Sequence, residues 1–147
     1  APHDRKMPTP AEVKKALVSA GFVVYRTRGD VIHVAERARE NLIMDAGIRV
    51  RASEPAVILM VRAQRSDFPH EPEDAMFDRA RKLARIAVER GYSEVGTQMT
   101  PLPDPNDEAR TLDSWFEVSY EKRVADLEQA MTEVAFALSI EKAALRA

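Results

Sequence analysis

The chain has 147 residues, 22 Lys and Arg against 24 Asp and Glu, and a formal net charge of −2, a length that fits one domain with a core of its own. No Cys is present, which excludes disulfides, Cys-ligated zinc, iron–sulfur clusters and thiol catalysis. Hydrophobic residues make up 45% and charged residues 31%, a globular balance, and no apolar run approaches the ~18 residues of a membrane span.

The first ten residues, APHDRKMPTP, hold three Pro and no apolar h-region. They read as a flexible lead-in over 1–9 without a secretory signal, and a cytoplasmic location is the expectation. Thr9, Pro10 and Glu12 then form a capping box with Pro at the first helical position, opening a short helix over 10–20 that Gly21 closes. Phe22–Arg28 is β-branched and aromatic and predicts a strand. Its parity puts Phe22, Val24, Arg26 and Arg28 on one face. After Gly29-Asp30, the residues Val31, Ala35, Ala38, Leu42 and Asp45 recur at helical spacing and Gly47 follows. This favours a helix over 31–46; the alternative makes Val31–Val34 the return strand of a hairpin.

Ile48–Ser53 alternates, with Ile48, Val50 and Ala52 inward and Arg49 and Arg51 outward. Ala56–Arg65 contains the run Val57-Ile58-Leu59-Met60-Val61, apolar on both faces, as a central strand requires. A long helix is predicted from Glu73 to about Arg90, ended by Gly91. Tyr92–Thr100 is a strand, the Pro-rich stretch 101–108 a loop, Leu112–Glu121 a strand, and about Lys122–Arg146 a final helix.

The order α-β-α-β-β-α-β-β-α predicts one α+β domain over 10–147, a single mixed or antiparallel sheet with helices packed on it. Residues 22–100 have the order of the split βαβ, ferredoxin-like unit. With 31–46 set aside as an insertion, the element order is similar to that of the small homodimeric chaperones of type III secretion.

The final helix carries a stripe of Val124, Leu127, Met131, Val134, Leu138 and Leu145, and a second set, Phe136, Ile140 and Ala143, on the opposite side. Ala130, Ala137 and Ala144 repeat along another edge. A helix apolar all round needs cover all round. The expectation is a homodimer with Phe136, Ala137, Ile140 and Ala143 at its interface.

Charge is uneven: residues 1–66 hold 12 Lys and Arg against 7 Asp and Glu, residues 67–147 hold 10 against 17. Arg26, Arg28, Arg49 and Arg51, with Trp115, form a candidate surface for an anion or an acidic partner. Glu117 and Glu121, outward on the last strand, could neutralise it instead. His33 with Glu36, and His70 with Asp67 and Glu71, are thin metal or general-base candidates. Asp104, Asn106, Asp107 and Glu108 lack the Gly and Glu of a calcium loop. No phosphate loop, nucleophile elbow or cofactor motif is legible, so no cofactor or metal is expected. The first reading is therefore a non-enzymatic adaptor or chaperone-like module that dimerises through its last helix and binds another protein, with no membrane. An anion or nucleic-acid binder comes second, and a small metal-dependent enzyme third.

Overall fold

In the computed structural model, residues 8–39 and 42–144 are described. The elements are α1 (Pro10–Ser19), β1 (Val23–Arg28), β2 (Val31–Arg39), β3 (Leu42–Arg51), β4 (Ala56–Gln64), α2 (Glu73–Leu83), α3 (Arg85–Glu89), β5 (Ser93–Asp104), β6 (Asp107–Arg123) and α4 (Leu127–Ala144). The six strands form one antiparallel sheet in the order β1-β2-β3-β4-β6-β5, and the protein is of the α+β class. Two compact units divide the chain: Ala1–Leu59 with Glu121–Ala147, and Met60–Tyr120.

The first unit begins with the capping box as expected. Thr9 accepts from the Glu12 N–H at 3.2 Å and the Glu12 carboxylate accepts from the Thr9 N–H at 3.4 Å, which satisfies donors the first turn leaves open. Val13 and Leu17 are buried on the inner face of α1, which rests on β1 and β2.

Of the segment 31–46, whose spacing favours a helix, the described residues 31–39 and 42–46 are strand instead. Val31, Ile32 and Val34 pair with β1 on one side and β3 on the other, and ladder bonds on both sides outweigh a weak helical preference. The pairing sets Ile32 opposite Val50 and Val34 opposite Ile48, and β4 continues the row with Val57 and Leu59. These six side chains are buried. Helices α1 and α4 supply Val13, Leu17, Ala130, Val134 and Ala137 to the same core.

A bulge at Tyr25 corrects the parity read for β1. Val24 pairs with Val34 but Arg26 pairs with His33, so the extra residue sends Val24 to the core face and Arg26 to the other. At the far end of the sheet row, Asp30 accepts from the Ser53 N–H at 3.0 Å and the Ala52 N–H reaches the Asp30 carbonyl at 2.9 Å. Asp30 thus ties two neighbouring turns together rather than capping a helix.

In the second unit, the predicted helix over 73–90 is broken at Ala84, into α2 and α3. Met76, Ala80, Ala84 and Ala87 are buried while Leu83, Ile86 and Val88 are exposed. Phe77 meets Phe116 of β6 edge to face at 5.3 Å. Strand β5 runs through Pro101 and Pro103 to Asp104, where the sequence suggested a loop. Pro lacks an N–H, and only an edge strand such as β5 tolerates it. Tyr92 and Tyr120 are buried; burial and the Glu94 carboxylate push the Tyr120 phenol upward, against the nearby Arg81 charge.

Leu17 is fully buried at the centre of the α1 contact. Leu17→Ala is expected to cost about 2–5 kcal/mol, read as a lower denaturation midpoint with an unchanged slope in urea.

Candidate functional site

The face of β1–β3 opposite the apolar row carries a file of polar side chains. Arg26 on β1, His33 on β2 and Arg49 on β3 stand in register across three strands. The Arg26 Nε–H donates to His33 Nδ1 at 3.2 Å, which leaves the proton of the neutral ring on Nε2. His33 is only 8% exposed. Burial, then the positive charges of Arg49 and Arg26, hold its pKa below the ordinary 6.5, partly opposed by Asp45.

Asp45 reaches this file through a bulge. Four residues of regular strand span about 13 Å, too far for side-chain contact. The β2–β3 pairing skips Ala46 and Gly47, so Asp45 lies opposite Ala35 directly beyond the Val34–Ile48 pair. The shortening lets both Asp45 oxygens accept from Arg49, at 2.6 and 2.8 Å, and Oδ1 also accepts from the Gly47 N–H at 2.9 Å. Gly47, at φ +71°, occupies the left-handed region that this bulge demands. Burial raises the Asp45 carboxyl, but the Arg49 bonds, the Gly47 N–H and the surrounding positive charge hold it below the usual carboxylate range.

The four candidate Arg residues therefore differ. Arg49 is neutralised by Asp45 and Arg51 by Glu121, at 2.6 Å. Arg51 also donates to the carbonyls of Ser53 and Glu54 at 3.1–3.3 Å. Arg26 and Arg28 are exposed, and among the described residues neither makes an ion pair. Arg26 lies 5.7 Å over the Tyr25 ring. In the other unit, Trp115 is half-buried beneath the Arg62 guanidinium at 4.0 Å. Glu117 is buried there, and among the described residues it forms no salt bridge with an Arg.

On α4 the buried centre is narrow and small: Ala130, Glu133, Val134 and Ala137. Glu133 is paired with Lys122 at 3.3 Å. Leu127, Met131 and Leu138 flank this centre on one side, Phe136 and Ile140 on the other, all half-buried, and Glu128, Thr132, Ala135 and Ser139 are exposed at the back. Ala137, expected at a dimer interface, is 5% exposed and belongs to the core of its own unit. The helix is not apolar all round, because its back is polar and small. Ala143 falls in the last turn, beyond the side chains described.

The histidine candidates do not assemble. His33 and Glu36, three apart on a strand rather than a helix, project to opposite faces. His70 is exposed in its loop, and Glu71 is engaged by Arg79 at 2.6 Å. Among the described residues no three metal-ligating side chains converge. An open groove beside α2, lined by Glu71, Asp78, Arg79 and Lys82, is crossed by internal ion pairs. Asp104 and Asp107 accept from the N–H groups of Asn106 and Ala109, which makes the acidic stretch an ordinary turn.

Comparison with family models, with curated proteins and with solved structures found no match for this chain.

The depressed His33 pKa has a fixed sign. Stability from the neutral ring is complete above pH 6.5 and is lost as pH falls through the lower folded value. An imidazole titration by NMR is expected to place His33 below 6.5, and His33→Gln should flatten the loss of stability between about pH 7 and 5. A midpoint at or above 6.5 contradicts this.

Proposed function

We propose that the protein is a non-enzymatic protein-interaction module whose contact surface lies at the distal end of the β2–β3 hairpin. The observation that supports this is the run Leu42-Ile43-Met44, exposed by 56, 37 and 54%. Consecutive strand residues face opposite ways, so this end of the two strands carries exposed apolar surface on both sides. Met44 and Ile43 pair with Glu36 and Arg37 of β2, and an apolar patch rimmed by charge is the ordinary composition of a binding surface. Burying each of these side chains against a partner is worth about 1.5–3 kcal/mol. The interaction surface thus shifts from α4, whose large side chains are already half-covered, to the strands. The double variant Leu42→Ser/Met44→Ser is expected to keep its unfolding midpoint and to weaken capture of a partner from an extract of its own cells by about tenfold or more. Unchanged capture overturns the reading.

Anion binding is the second reading, favoured by Arg26 and Arg28, which stand side by side on β1 without acidic partners among the described residues. It requires heparin retention that falls with salt and is lost in Arg26→Ala/Arg28→Ala. Equal retention of that variant removes it.

A further inference from the structure

The two edges of the sheet are built differently. Edge strand β1 is six residues long, carries Arg26 and Arg28, and is bent by the bulge at Tyr25. Short length, cations and bulges are the devices that keep an edge from pairing with another chain. Edge strand β5 is 12 residues long and carries no cation over its first seven. Ser93-Glu94-Val95-Gly96-Thr97-Gln98-Met99 contains no Pro, no cation and a single charge, and every residue of it is exposed. That one charge is already engaged, since Glu94 accepts from Arg81 of α2 at 2.8 Å. Glu94 therefore marks the helix side of the strand, and alternation puts Val95, Thr97 and Met99 on the open side. Val95 and Met99 are 56% and 45% exposed.

Pro101 and Pro103 show which backbone groups face outward. A Pro sits in an edge strand where its missing N–H points away from the ladder. Strand parity then turns the N–H and C=O groups of Val95, Thr97 and Met99 outward as well.

We propose that β5 pairs with the β5 strand of a second copy, antiparallel about a two-fold axis at Thr97. In this register Thr97 faces Thr97, and Val95 of each copy faces Met99 of the other. Glu94 faces Thr100, so no like charges oppose. The outward groups of these pairs form about six interchain hydrogen bonds, and the ladder stops where Pro101 can no longer donate. The partner is the same chain because the segment is complementary to itself in charge, in side-chain size and in backbone parity. The contact is isologous and closed. It is small beside a standard interface, which puts its dissociation constant on the order of micromolar.

Sedimentation equilibrium of the full chain, up to about 100 μM, tests the pairing with three variants at exposed positions. Wild type is expected as a dimer. Val95→Lys/Met99→Lys places Lys against Lys twice and should raise the dissociation constant by about 100-fold or more. Val95→Lys/Met99→Glu places Lys against Glu twice and should restore the dimer. Thr97→Pro removes an outward donor on a strand that already holds two Pro, and should leave a folded monomer by circular dichroism. A wild-type monomer at the highest concentration overturns the proposal. So does a dimer indifferent to Val95→Lys/Met99→Lys, or a charge-swapped variant no more dimeric than the double Lys. The surface at Leu42–Met44 stands or falls separately, because none of these variants touches it.

Discussion

The register of β2 against β3 is the constraint on which the first unit depends. The pairs Ile32–Val50 and Val34–Ile48 put four apolar side chains under the helices, and the intervening His33–Arg49 pair faces the other way. A strand has a period of two, so a slip of one residue would carry Arg49 beneath α4 and turn Ile48 and Val50 away from the core. The cost of burying an unpaired guanidinium closes that alternative. Core and polar file are thus two outcomes of one pairing. The bulges at Tyr25 and at Ala46–Gly47 are what allow neighbouring segments to meet it without exposing Val24 or stranding Asp45.

Much of this was legible from the residues, and the failures have physical reasons. The capping box at Thr9–Glu12, the inward and outward parity of β3 and the α+β class all follow from local rules, and the structure keeps them. The segment 31–46 fits a helix because it contains no Gly or Pro to break one. Val31, Ala35, Ala38 and Leu42 fit a helical stripe as well as a strand, and only pairing partners distant in sequence decide between them. Of the polar file, parity gives Arg49 its outward face but not Arg26, which the bulge at Tyr25 moves off the face of Val24. His33 and Asp45 escape parity because the spacing of 31–46 fits a helix. The available signal was Gly47, which follows Asp45 and sits two residues before Arg49; an isolated Gly beside a strand pattern marks a bulge. On α4, Ala130, Val134 and Ala137 are buried and Phe136 and Ile140 are half-buried, so the chain itself covers part of the apolar surface that the sequence assigns to a partner.

Charge is distributed on the same principle. The excess of cations in residues 1–66 meets the acidic C-terminal half inside the first unit through Arg51 and Glu121, while Glu54 and Arg123 pair there in the opposite sense. The second unit balances itself through Arg79–Glu71 and through Arg81 with Asp78 and Glu94. Partly exposed pairs of this kind add little stability individually. Their effect is to leave Arg26 and Arg28 as the local concentration of positive charge on the first edge, where they also guard it against pairing.

The strand order carries a consequence for synthesis. Strands β1 to β4 are consecutive neighbours, so a nascent chain can assemble them by short-range hairpin closure as each leaves the ribosome. The neighbour on the other side of β4 is β6, which is translated only after α2, α3 and β5. Throughout that interval β4 offers a bare edge bearing Val57-Ile58-Leu59-Met60-Val61, a segment of the composition that seeds cross-chain stacking. Elongation between residues 64 and 107 is therefore the stage at which this polypeptide most needs protection from its neighbours on a polysome.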